Sequence, residues 1–127
     1  METSLLQEFL PPLLLEHFTV VYYLKLGNVQ TKKMEFRIHL DEQNNLPSRY
    51  SKTDYESKGF LPSSQVQDFP IRGQAVYLVI RRRRWRHKQT KKEITGDYSF
   101  IAEGSRLTRE LSDFLKGTGR DPRRYDK

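Results

Sequence analysis

A continuous apolar run that passes directly into a block of arginines sets the strongest constraint on the fold of this 127-residue chain. The run is AVYLVI at residues 75–80, and RRRRW follows it at residues 81–85. β-Branched and aromatic residues favour extended structure, and an apolar run of this length is typical of a strand buried on both faces. We therefore predict one strand over residues 75–85 that begins in the core and runs out into solvent.

Side chains alternate between the two faces of a strand, so the predicted strand sorts its arginines into two rows. One row combines arginines with aromatic planes, which suits phosphates together with stacked bases. The other row contains arginines alone and is expected to contact phosphates. The first row is Tyr77, Arg81, Arg83 and Trp85, and the second is Arg82, Arg84 and Arg86.

The excess positive charge of the chain is confined to the same region. Residues 81–92, RRRRWRHKQTKK, contain eight Lys or Arg and no acid, while the whole chain has a formal net charge of +7. Lys88, Lys91 and Lys92 fall at the tip of the predicted hairpin, and Arg72 in the turn before the strand adds to the basic surface. Concentrated charge costs self-repulsion, so the pattern indicates a polyanionic partner. A solvated strand that resists edge-to-edge aggregation and a localisation-type basic patch are the alternatives.

The flanking segments predict an α+β fold: an antiparallel sheet of about four to five strands, short N-terminal helices and one C-terminal helix. The Pro11-Pro12 break favours two short helices before residue 18, the first capped by Ser4. Further along the chain we expect a hairpin from strands 18–24 and 33–40 around Gly27-Asn28, a surface loop at 41–58, a short irregular strand within 60–69, and a returning strand at 94–102.

The C-terminal helix is predicted to begin at Ser105 as N-cap and to end at Gly117. Its apolar stripe is expected to pack on the sheet. Residues 1–117 are therefore predicted to form a single domain, and residues 118–127 a disordered basic tail. The stripe consists of Leu107, Leu111, Phe114 and Leu115.

Several classes of function are disfavoured by the residues present. The chain has no cysteine, so disulfides and thiolate zinc sites are excluded. The three histidines, His17, His39 and His87, stand apart without metal-ligand spacing, and neither a nucleophile elbow nor a glycine-rich phosphate loop is found. We expect a non-catalytic protein without metal or cofactor. No apolar run approaches the roughly 20 residues of a membrane span, and a cytoplasmic location without membrane contact is expected.

Residues 68–115, DFPIRGQAVYLVIRRRRW…DYSFIAEGSRLTRELSDFL, resemble the N-terminal region of a family of bacterial insertion-sequence transposases. The opening LLQEFLPPLLLEHFTVVYY is similar too, so the resemblance covers residues 5–116. It implies recognition of transposon-end DNA, with Arg81–Arg86 and the hairpin tip at the matching positions, and a separate catalytic transposase chain as a possible partner. The wider group carries a zinc ribbon after a similar strand. Because this chain has no cysteines, no zinc is expected.

Three functional hypotheses follow from these observations. The first is a DNA-binding accessory module of a transposition system, whose affinity comes mainly from phosphate neutralisation. The second is a protein-interaction module whose basic hairpin docks on an acidic surface of a catalytic transposase chain. The third is an RNA-binding domain that uses the same aromatic and basic face.

Overall fold

The computed structural model describes residues 5–46, 49–98 and 107–117. These residues form a mixed architecture of about half strand, so the predicted α+β class is confirmed. After a 3-10 turn at Leu6–Phe9, the order is α1 (Pro12–His17), β1 (Phe18–Asn28), β2 (Lys33–Glu42), β3 (Tyr55–Phe60), β4 (Ser64–Ile71), β5 (Gln74–Arg81), β6 (Arg83–His87), β7 (Glu93–Thr95) and α2 (Arg109–Lys116). None of the described helices is long and apolar enough to cross a membrane.

The ends of the two helices follow from their local sequence. Pro12 opens α1, where its missing N–H costs nothing. Thr108 caps α2, because its hydroxyl accepts a hydrogen bond from the backbone N–H of Leu111 at 3.2 Å. Gly117 ends α2 as predicted, with a left-handed φ of 76°. The predicted caps Ser4 and Ser105, like the predicted tail at 118–127, lie outside the described residues.

The strands form two sheets rather than the single antiparallel sheet that the sequence predicted. The larger has the order β1-β2-β5-β4, and the smaller has the order β3-β6-β7. β2 and β5 are parallel neighbours, with Ile38 opposite Leu78, whereas all other pairs are antiparallel. Parallel neighbours need a long crossover, which residues 43–73 supply here. Hydrophobic alternation reports which face of a strand is buried and not which strand lies beside it, so this pairing left no sequence signal.

Several element bounds also differ from the predictions. β1 continues through Asn28, so the turn lies at residues 29–32 and not at Gly27-Asn28. The segment 41–58, predicted as one loop, contains the end of β2 and the start of β3. β7 covers only the beginning of the predicted strand 94–102, of which residues 99–102 lie outside the described part.

One face of the larger sheet carries the hydrophobic core. Ile38, Leu40, Leu78 and Ile80 are fully buried on this face, and both helices pack against it. The predicted apolar stripe of α2 is confirmed, with its main members buried. The full cluster is Leu10, Leu14, Phe18, Val20, Ile38, Leu40, Val66, Val76, Leu78, Ile80, Tyr98, Leu111, Phe114 and Leu115.

The two sheets are connected by a bent two-stranded ribbon, in which one arm is β3 followed by β4 and the other is β5 followed by β6. This ribbon positions the basic residues. β4 pairs with β5 in the larger sheet, and β3 pairs with β6 in the smaller one. At the bend, the N–H of Leu61 donates to the carbonyl of Arg82 at 2.8 Å. Arg72 and Gly73 close the ribbon with φ values of 52° and 76°, as a two-residue type I′ turn requires. The strand predicted to run unbroken from 75 to 85 is therefore interrupted at Arg82.

Candidate nucleic-acid interface

The interruption at Arg82 changes which side chains of the basic segment face inward. Before it, the buried residues are even-numbered, and Ile80 and Arg82 continue that pattern. After it, Trp85 is buried, with only 2% of its surface exposed. Its indole N–H donates to the Asn44 side-chain oxygen at 2.9 Å. The prediction that Trp85 presents its ring beside Arg81 and Arg83 for base stacking is therefore wrong, because strict alternation does not survive the bend.

Arg81 and Arg83 do pair with an aromatic ring, but the ring belongs to β3. Their guanidinium carbons lie 4.1 and 4.5 Å from the centroid of Phe60, so two cations flank one ring. Arg81 also forms a bidentate ion pair with Asp41, in which its Nε and Nη2 donate to the two carboxylate oxygens, each at 2.7 Å. The hydrogen bonds that Arg81 donates to the Asp41 carboxylate raise the pKa of Arg81, although burial opposes this. These contacts hold the bend of the ribbon together.

Arg82 is a core residue and not a surface cation. It is 8% exposed, and its guanidinium lies over the rings of Tyr98 and Phe114 at 5.4 and 5.8 Å from their centroids. It also donates to the carbonyl oxygen of Gly96. A buried cation needs such partners because water does not reach it. The prediction that Arg82 contacts phosphate is therefore wrong.

Glu42 is the buried carboxylate at the junction of the two sheets. It is 4% exposed, accepts a hydrogen bond from the backbone N–H of Arg83 at 2.8 Å, and accepts another from the hydroxyl of Tyr98. Burial and the neighbouring Glu42 charge raise the pKa of Tyr98. Glu42 thus ties the end of β2 to the start of β6, and its importance was not visible in the sequence, where Asp41-Glu42 looked like a solvated loop pair.

The remaining two arginines of the segment are paired across strands. Arg86 donates to the carboxylate of Glu56 at 2.9 Å from directly opposite on β3, and Arg84 lies 3.5 Å from Glu93 on β7. The hydrogen bond from Arg86 is the main cause of the lowered pKa of Glu56. The expected outward ladder of unneutralised guanidinium groups is therefore wrong. Two of the acidic partners, Asp41 and Glu56, come from segments distant in sequence, so only the strand register brings them to the arginines.

The loop between β6 and β7 keeps its basic side chains exposed. Lys88, Lys91 and Lys92 are all exposed, and none of them forms a salt bridge with a described residue. The charges of Lys88 and Lys91 contribute to the lowered pKa of the Glu56 carboxyl, after Arg86. Within the basic segment 81–92, these three lysines are therefore the predicted contact residues that are both exposed and without a salt bridge to a described residue.

The side chain of His87 fixes the shape of this loop. Its Nδ1 accepts hydrogen bonds from the backbone N–H groups of Gln89 and Thr90, both at 3.1 Å. The carbonyl of His87 accepts from the N–H of Lys91 at 2.9 Å, and Lys91 has a positive φ of 66°. Sequence reasoning considered His87 only as a metal ligand and missed this positioning role.

The loop between β1 and β2, at residues 29–32, is held by the same arrangement of hydrogen bonds. Asn28 accepts through its side-chain oxygen from Gln30 and Thr31 at 2.9 and 3.0 Å, and Lys32 has a φ of 58°. The sequence signal is the tetrapeptide Gln-Thr-Lys-Lys, which occupies residues 30–33 and again residues 89–92. The surroundings differ, because Asn28 contacts the acidic Glu35 at 3.3 Å whereas the other loop follows an arginine-rich strand.

Arg72 is not brought to the basic loop. It is exposed in the turn that closes the ribbon, at the far end from residues 88–92. No group of three or more His, Asp or Glu side chains among the described residues is arranged to hold a metal ion. Comparison of the chain with protein-family models, with curated proteins and with solved structures gives no significant match.

Proposed function

We propose that this protein is a nucleic-acid-binding module without catalytic activity of its own, and that it contacts phosphates through the β6–β7 loop. The observation that carries the proposal is the set of three exposed lysines, Lys88, Lys91 and Lys92, on a loop whose backbone is fixed by His87. A fixed loop loses little conformational entropy on binding, and lysines make favourable point-charge contacts with phosphates.

The pairing of the arginines limits how many phosphates are contacted. Three lysines correspond to about three phosphates, which gives a slope of about −2.7 for log affinity against log salt on duplex DNA. Arg84 and Arg86 remain partly exposed, and they add at most about two further contacts if their carboxylate partners exchange for phosphate. The affinity is therefore modest and strongly salt-dependent.

Duplex DNA is the proposed ligand, and transposon-end DNA the proposed natural target. β6 is the central strand of the smaller sheet, so the proposed contact with the duplex is made by the β6–β7 loop and not by a two-stranded ribbon inserted into the major groove. The resemblance of residues 5–116 to transposase N-terminal regions supports this choice of target and a catalytic transposase chain as the working partner. A cytoplasmic location accords with that role.

The twin loops allow a matched test. Lys91→Gln/Lys92→Gln removes two charges from the proposed contact loop, and Lys32→Gln/Lys33→Gln removes two from a loop of the same sequence and backbone conformation. We expect the first variant to bind a duplex more weakly and to lower the magnitude of the salt slope by about 1.8, and the second to match the parent. Fluorescence polarisation of a labelled duplex at several salt concentrations measures both.

The proposal fails if the two variants bind alike, or if the parent shows no salt-dependent binding to duplex DNA, single strands or structured RNA. Competition among these three ligands identifies the preferred one. Preference for structured RNA would favour the RNA-binding hypothesis. Absence of binding to all three, with capture of a catalytic transposase chain from nuclease-treated extract, would favour the protein-interaction hypothesis.

A further inference from the structure

The free edges of the two sheets are not protected equally. An exposed strand edge is a template for pairing with another chain, and proteins usually block it with charges, prolines, short strands or covering groups. β7 has only three residues. β3 carries Glu56 and Lys58, and its Gly59 has a positive φ of 96° at a register shift. Both edges of the smaller sheet are therefore blunted.

The β4 edge of the larger sheet is also blocked. The backbone N–H of Gln67 donates to the carboxylate of Glu110, and its carbonyl accepts from the hydroxyl of Thr108 at 2.7 Å. Helix α2 thus satisfies outward-facing backbone groups of this strand. Pro70, near the end of β4, has no N–H to offer a further strand.

β1, at the opposite edge, is the least protected strand edge in the described part of the chain. It is eleven residues long, contains no proline and has a single charged residue, Lys25. Most of its exposed side chains are apolar: Leu24 and Leu26 are each 41% exposed and Val21 is 49% exposed. Thr19 and Lys25 are the exposed polar side chains. A β-bulge interrupts the strand at Val21, but pairing with β2 is regular from Tyr22 to Asn28. This regular segment is long enough for a neighbouring strand to add to it.

We infer that a second copy of this chain occupies the β1 edge, with the two β1 strands antiparallel about a two-fold axis at Leu24. In this register Leu24 lies opposite its own copy and Tyr22 lies opposite Leu26, so apolar and aromatic side chains meet at the centre of the new strand pair. Lys25 lies opposite Tyr23, so no like charges meet. Cross-strand apolar and cation–aromatic pairs of this kind stabilise antiparallel strands. The product is a continuous eight-stranded sheet with closed two-fold symmetry.

The test uses the mass of the protein in solution. Sedimentation velocity over a range of micromolar concentrations is expected to show a species with twice the mass of one chain. Leu24→Lys places two like charges opposite each other at the axis, and the side chain is exposed enough for the monomer to fold. We expect this variant to sediment as a monomer. Phe69→Lys, at a 56% exposed position on the blocked β4 edge, is the matched control and is expected to remain a dimer.

The register is tested separately by disulfide cross-linking. Because the chain has no native cysteine, an introduced cysteine is the only thiol that can form the cross-link. Residues opposite each other on antiparallel strands have Cα atoms about 4.5–5.5 Å apart, which lies within the range of a disulfide. Leu24→Cys is therefore expected to form a covalent dimer on mild oxidation, and Phe69→Cys is not. A monomeric parent at all concentrations, a Leu24→Lys variant that remains dimeric, or a Leu24→Cys dimer that does not cross-link would overturn the inference.

Discussion

Replacement of Glu42 by alanine should be among the most destabilising single changes in this protein. The substitution leaves two donors without their acceptor, namely the hydroxyl of Tyr98 and the backbone N–H of Arg83. An unsatisfied buried donor costs about 1–3 kcal/mol, so we expect a loss of about 4 kcal/mol in the free energy of unfolding. Total stabilities of domains are about 5–15 kcal/mol, so this loss is a large fraction.

Urea unfolding followed by the fluorescence of Trp85 measures this loss. With a denaturant dependence of about 2 kcal/mol per molar urea, the midpoint should fall by about 2 M. Glu16→Ala is the matched control, because Glu16 is exposed on α1 and its removal should change the stability by less than about 0.5 kcal/mol.

A double-mutant cycle assigns the effect to the proposed contact. Tyr98→Phe removes the hydroxyl that is left without an acceptor when Glu42 is replaced. The loss of unfolding free energy in the double variant should therefore be smaller, by about 1–2 kcal/mol, than the sum of the losses in the two single variants. Glu42→Gln retains an acceptor for Arg83 and should cost about half as much as the alanine. If Glu42→Ala lies within about 1 kcal/mol of the parent, the view of Glu42 as the tie between the two sheets is refuted.

Three further expectations concern other parts of the molecule. His87→Asn should preserve the conformation of the basic loop and its affinity for duplex DNA, because Asn28 holds the β1–β2 loop by the same hydrogen bonds. His87→Ala should weaken binding. If His87→Ala and the parent bind duplex DNA with equal affinity, the positioning role of His87 is contradicted. Burial raises the pKa of Asp68, so the folded state binds a proton on this carboxyl more tightly than the unfolded state does. The free energy of unfolding should therefore fall as the pH rises above about 4. Asp68→Asn should reduce that fall in urea midpoints measured between about pH 3 and 7, and an unchanged pH dependence would contradict this expectation. Trp85, the single tryptophan, should show blue-shifted emission that added DNA does not quench; strong quenching would mean that its ring is reached by bases.

The sequence predicted best those features that depend on near neighbours. The Pro11-Pro12 break, the glycine end of α2 and the alternation of Ile38 and Leu40 are local signals, and each matches the structure. The apolar run also predicted that β5 contributes to the core, but the expected burial on both faces is wrong: Val76, Leu78 and Ile80 are buried, whereas Tyr77 and Val79 on the other face are half-buried.

The candidate site was predicted less well because its chemistry depends on register. Arg81 and Arg86 look free in the sequence, and their partners Asp41 and Glu56 lie in a segment that was predicted to be a loop. A one-residue change in strand register moves every side chain to the other face, and the bend at Arg82 has that effect on Trp85. The lysines of the loop depend on no distant partner and are exposed, and their role in binding stays a prediction.

The closed end of the bent ribbon has a consequence for how the domain assembles and opens. The Arg72-Gly73 turn brings β4 and β5 together through contacts that are short in sequence, whereas Tyr55 meets His87 only after that pairing has shortened the intervening chain. We therefore expect the β3–β6 pairing to form late and its amide protons to exchange before those of β5, whereas β6–β7 is a local hairpin with Arg86 opposite Glu93. Separation of β3 from β6 is then expected to leave the β6–β7 hairpin, its lysine loop and the hydrophobic core in place.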